Sequence, residues 1–169
     1  FYAKYQCGKC KVIMDDPDGT RISGIRVRQD KKTFAFSYDM TQYAKDNMEY
    51  IERPRGFIKN TLEIDDKKME EVITANGKIG WIGTNGRPDV AAGHSLIAGK
   101  YKTKSPDLVT DCNICVKQCK EHQVSLKIWS IQPDDVRMFS FCDGAHDPKG
   151  ERHQVGWING WVDGLSLIH

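Results

Sequence analysis

The chain changes its hydrophobic period twice, and that ordering limits what it can fold into more than any single motif does. Residues 65–121 repeat apolar side chains at helical intervals, whereas residues 11–38 and 125–162 break into short β-branched or aromatic runs separated by Gly, Pro and Asp clusters. Strands followed by helices followed by strands make an α+β chain. In the first block KVIM, RISGIRVRQ and TFAFSY are divided by DDPDG and DKK, which predicts an antiparallel three-strand meander. Ile22, Ile25 and Val27 with Phe34 and Phe36 supply its apolar face, Arg26 and Arg28 alternate outward, and Gly24 marks a bulge or a close approach. Residues 41–53 fit either a helix capped by Thr41 or extended chain, and Pro54 and Gly56 open a loop over 54–64.

Three helices are predicted in the middle. Asp65 or Asp66 caps the first, which places Met69, Val72, Ile73, Ile79 and Ile82 at apolar spacing. TNGRPD then turns the chain, and Pro88 opens a second helix through Val90, Leu96 and Ile97. The third starts with Ser105 as N-cap, Pro106 and Asp107, and sets Leu108, Cys112, Cys115 and Cys119 along one side. SLKIWSI, VRMFSFCDGAHD and QVGWINGWVDG follow as strands of a last sheet.

Composition narrows the class further. Hydrophobic residues at 39% and charged residues at 28% exclude a disordered tail, and no apolar run approaches the ~18 residues of a membrane span. Net charge is only +2, so basic character is local, at Lys100, Lys102 and Lys104. No secretory signal is legible, so the six cysteines are expected to be reduced thiols of an intracellular protein, cytoplasmic or nuclear. The first residue is not Met and the last residues, GWVDGLSLIH, are still strand-like, the expectation for a fragment.

Three candidates carry chemistry. The pairs Cys7/Cys10 and Cys112/Cys115 have zinc spacing, but the second pair falls mid-helix and the pairs lie far apart, against the ~15–20 residues of a zinc ribbon. Small apolar core residues are the better reading of Cys112, Cys115 and Cys119, with a small zinc-binding module as the alternative. In TNGRPD, Arg87 or Asp89 satisfies free backbone groups at a helix-helix turn. In FSFCDGAHDP, Asp143 ends an apolar strand, a position suited to a Mg²⁺ ligand, although D-G sequences also favour plain turns. His94, His122, His146, His153 and His169 are scattered without a neighbouring nucleophile, and no glycine-rich phosphate loop follows a strand.

In their order these features resemble the pol region of copia-type retroelements. There a helix with a G-x-L-x-W-like segment runs into T-R-P-D and another helix, and residues 77–100, GKIGWIGTNGRPDVAAGHSLIAGK, match at Gly77, Trp81, Thr84, Arg87, Pro88 and Asp89. RMFSFCDGAHD, residues 137–147, is similar to the strand that ends in the first metal ligand of the family's ribonuclease H, and GWING with Gln154, Gly156 and Gly160 to its second strand. YQCGKCKV and SGIRVRQDKKTFAFSYDMTQYAKDN resemble the stretch after the polymerase site. The resemblance implies the end of a reverse transcriptase palm over 1–53, a thumb- or connection-like helical region over 54–130, and the N-terminal part of a ribonuclease H-like domain over 131–169. It also implies Mg²⁺ at a two-metal site with Asp143 as the one catalytic ligand present, and Lys100, Lys102, Lys104 and Arg87 as nucleic-acid contacts. The partners so implied are an RNA-DNA hybrid or primer-template and the rest of the polyprotein, with no membrane. The polymerase's paired aspartates would precede Phe1 and the later nuclease ligands would follow His169, so the segment alone would be inactive, and a degenerate relic of such an element shares the same pattern.

Overall fold

Ser23 and Gly24 divide RISGIRVRQ into two strands, β1 (Thr20–Ile22) and β2 (Ile25–Gln29). Both turn residues take positive φ, 52° and 87°, the backbone of a tight hairpin turn that follows the twist of its strands. Gly24 is therefore a turn residue and not a bulge. The close approach is real, since a Cβ there would come within 2.6 Å of the Tyr43 ring. A third strand, β3 (Phe36–Asp39), pairs antiparallel with β2 after a turn in which Asp30 Oδ1 accepts from the amides of Lys32 and Thr33. The described part of KVIM, residues 12–14, contributes no strand: Ile13–Asp15 is a 3-10 turn held by Asp15 N–H donating to Val12 O, and DDPDG folds on itself through the Asp18 amide and Asp16 Oδ1. Phe34 also leaves the apolar face, because it sits in the β2–β3 turn at φ 56° and is 54% exposed.

The computed structural model describes residues 12–53, 63–130, 136–145 and 154–162, and the chain divides into two compact units after Ile128. In the first unit, β3 leads into α1 (Thr41–Asn47), after which residues 48–53 are non-helical. Thr41 is the first helical residue and not the cap; its amide donates to Asp39 Oδ1 at 3.1 Å. Next come α2 (Asp66–Asn85), α3 (Pro88–Gly99) and α4 (Asp107–Glu121). Asp65 caps α2 by accepting from the Lys68 amide at 2.7 Å; at α4 the capping position is Pro106 and not Ser105, whose Oγ accepts from the Asp107 amide from one residue further out. Asp65→Ala is expected to cost about 1 kcal/mol, read as a lower urea midpoint at unchanged m-value, and an unshifted midpoint would remove the cap from the account.

Val72, Ile79, Ile82, Val90, Ile97, Leu108, Val109, Cys112 and Val116 are essentially inaccessible and join Met40, Ala44 and Met48 in one core. Ile73 and Leu96 break the expected apolar pattern: at 48% and 53% exposure they lie outside it, because Val72 and Ile97, one step round each helix, take the inward positions. Glycines let the helices close on one another. A Cβ on Gly83 would press on the Ala91 backbone at 3.2 Å, and one on Gly93 would meet Cys115 Sγ at 2.7 Å. After α4, β4 (Ser125–Ile128) pairs antiparallel with β3, so SLKIWSI completes the first sheet, in the order β1-β2-β3-β4, instead of joining a last one. Among its described residues the first unit thus combines a four-stranded antiparallel sheet with four α-helices.

In the second unit β5 (Arg137–Ala145) and β6 (Gln154–Val162) pair antiparallel along their whole lengths, from Arg137 opposite Val162 to Ala145 opposite Gln154.

Candidate functional site

Asp143 is carried inside β5, opposite Gly156 of β6, and the pairing continues past it through Gly144 opposite Val155 to Ala145 opposite Gln154. The D-G pair is therefore part of a strand, where its composition alone favours a turn. Asp147 lies outside the described residues. An oxygen ligand at such a position suits Mg²⁺ chemically, but one carboxylate is too little for a two-metal site, and among the described residues no group of three or more His, Cys, Asp or Glu is arranged to hold an ion.

Arg87 is nearly inaccessible, at 3% exposure. Its guanidinium forks onto Asp89, with Nε to Oδ1 at 2.8 Å and Nη2 to Oδ2 at 2.7 Å. The same group donates to the carbonyls of Gln118 at 3.3 Å, Cys119 at 3.4 Å and His122 at 2.7 Å, which close the C-terminal turn of α4. Asp89 in turn accepts from Gln118 Nε2 at 2.9 Å. This is the backbone-satisfying role anticipated for the turn, and it withdraws Arg87 from the nucleic-acid contacts, since its donors are spent internally.

Of the three lysines, Lys100 Nζ lies 2.9 Å from Asp111 Oδ2 and Lys104 Nζ 2.7 Å from Asp66 Oδ1. The hydrogen bond to Asp66 pushes the Lys104 ammonium above its ordinary range and pulls the carboxyl below its own. Lys102 is exposed and has no ion-pair partner among the described residues. A phosphate approaching this segment meets one unpaired cation and two that are paired at the surface, where such pairs are worth little.

Cys7 and Cys10 lie outside the described residues. Cys112 and Cys115 are buried in the helical core, and the Cys112 thiol faces Val72 O at 3.9 Å. Burial pushes Cys112 up to about 12 and Cys119 up to about 11, and raises Cys115 as well. A zinc ligand must be a thiolate, so the geometry of this half of the zinc set is that of core packing. Alkylation at pH 8 followed by mass spectrometry should label exposed Cys142 quickly and leave Cys112 and Cys119 unmodified in the native protein. Rapid labelling of Cys112 before unfolding would overturn its placement.

An open groove of about 410 Å³ between α2, α4 and residues 48–51 alternates Glu49, Glu70 and Glu71 with Lys67 and Lys78, a mixed lining with no preferred ligand charge. Among the described residues no helix is long and apolar enough to cross a membrane. No protein-family model matches the chain, and neither does any curated protein sequence or solved structure.

Proposed function

We propose that the chain is the segment of a copia-type retroelement polyprotein in which a reverse transcriptase passes into its ribonuclease H, with a primer-template or RNA-DNA hybrid as partner. Residues 1–53 would end the palm, 54–130 form the thumb- or connection-like region, and 131–169 open the nuclease. The observation that carries the reading is the position of Asp143 within a paired strand of a two-stranded antiparallel unit. A rigid strand is what a nuclease needs to hold a metal-binding carboxylate in place, whereas a turn aspartate would have spoken for a plain hairpin. The Arg87–Asp89 fork adds support, because it gives both charged residues of the G-R-P-D segment a reason to be present together.

The chemistry asked of such a segment is limited. Asp143 would contribute one of several carboxylates that hold Mg²⁺ ions for hydrolysis of the RNA strand, and the helices would present backbone and side-chain donors to phosphates. The coding sequence on either side tests the assignment. Paired aspartates upstream and a further acidic strand-helix pattern downstream, in the same frame, are expected; an open frame lacking both would sink it.

A further inference from the structure

The first sheet has two chemically different faces. Strand register sets Arg21, Arg26, Asp39 and Ser125 side by side across β1 to β4, with Arg28, Ser37 and Lys127 in the next row of the same face. The opposite face carries Val27, Tyr38, Leu126 and Ile25, of which Ile25 packs on the core. Beside the charged face lies a groove of about 490 Å³, walled by Arg26 and Arg28 of the sheet, Gln42 and Lys45 of α1, and Gln123 and Ser125 at the start of β4.

Positive charge in this groove exceeds what the sheet itself uses. Asp39 is the one carboxylate in the lining, and it is engaged by Arg28 Nη1 at 3.2 Å and by the Thr41 amide at 3.1 Å. Arg26 and Lys45 have no ion-pair partner among the described residues, and Arg21 stands directly opposite Arg26, a like-charge pairing that costs stability. The chain as a whole carries only +2, so this concentration is a local feature and not a result of basic composition. The lining also lacks the large aromatic or aliphatic anchors on which protein partners depend, Val124 being its only apolar side chain. Cations and neutral donors such as Gln123 and Thr41, without anchors, are what phosphate oxygens require.

We propose that this groove grips the phosphodiester backbone of nucleic acid, with Arg26 and Lys45 as direct phosphate contacts and Arg28, fixed by Asp39, as the rigid side of the site. The choice of nucleic acid rests on the retroelement reading; the cationic groove does not.

The test is a fluorescence-anisotropy titration of the full 169-residue chain with a labelled RNA-DNA hybrid over a range of salt. Removing two phosphate contacts in Arg26→Gln/Lys45→Gln is expected to weaken binding roughly fiftyfold at ~0.1 M salt and to lower the slope of log K against log salt by about 2. The charge-preserving pair Arg26→Lys/Lys45→Arg should bind within a few-fold of the parent, and unchanged thermal unfolding of both variants excludes misfolding as the cause. Hybrid binding that ignores the Gln substitutions overturns the groove and leaves the retroelement reading standing, because Asp143 and RNA-strand cleavage decide that separately. A polyglutamate chain that binds the parent more tightly than the hybrid and is lost in the Gln variant overturns the proposal in favour of an acidic protein. Loss of hybrid binding in the Gln variant, even with cleavage unaffected by Asp143→Asn, supports the groove while removing the nuclease assignment.

Discussion

Asp143→Asn, made in a retroelement polyprotein carrying this segment as proposed above, is expected to reduce cleavage of the RNA strand of a hybrid by about a thousandfold or more while DNA synthesis continues near the parental rate. Asparagine keeps the size of the side chain and one carbonyl oxygen but removes the negative charge that would hold a hard cation in the proposed site. Metal-ion stabilisation of a transferring phosphoryl group is worth several kcal/mol, and each 1.36 kcal/mol is a factor of ten. The backbone should not change, because Asp143 sits in a ladder whose partner, Gly156, has no side chain to repack. Both activities are measured on one preparation, with a labelled hybrid for cleavage and a primed template for extension. Cleavage that persists at the parental rate removes Asp143 from the site, and loss of both activities together points to misfolding instead of catalysis.

The helices were legible because their ends are written in local chemistry. Asp65, Pro88 and Ser105 each fix a start through one side chain or ring, and the apolar repeats of α2 and α4 leave little choice of buried face. The sheet was less so. RISGIRVRQ alternates like a single strand, and only the positive φ that Ser23 and Gly24 adopt reveals two. The destination of SLKIWSI depends on pairing with β3, a contact between Tyr38 and Leu126 that no local pattern encodes. For the candidate residues the same division holds. Outward alternation of Arg26 and Arg28 could be read directly, but their meeting with Lys45 and Gln123 needed α1 and the returning strand to be placed first. Arg87 fits two roles in the sequence, and its burial against the end of α4 spends its donors on the structural one.

Arg87→Met should be the most destabilising turn substitution in the chain's first unit, at about 3–4 kcal/mol, since it removes a buried guanidinium that pairs with Asp89 and holds the end of α4. Methionine fills a similar volume, so the loss is electrostatic and not a cavity. The carbonyls of Gln118, Cys119 and His122 lose the Arg87 donor, Gln118 O keeping the His122 amide, and that terminus also loses a positive charge where the helix dipole favours one. Lysine should recover only part of the deficit, because a single ammonium cannot reproduce the fork onto Asp89. Acid supplies an independent check. Hydrogen bonds from Arg87 hold the Asp89 carboxyl below its usual range, so the folded value lies under the unfolded one, near ~3.9. Its contribution is therefore complete above that unfolded value and disappears as pH falls through the lower folded value, where both states are protonated. Urea midpoints measured from pH 7 down to 2 should fall more steeply for the parent than for Asp89→Asn, and in Arg87→Met the Asp89→Asn change should no longer alter the slope. Parallel acid limbs in the parent, both single variants and the double variant would show that the fork contributes nothing to stability, leaving the α4 carbonyls as the whole of the Arg87 effect.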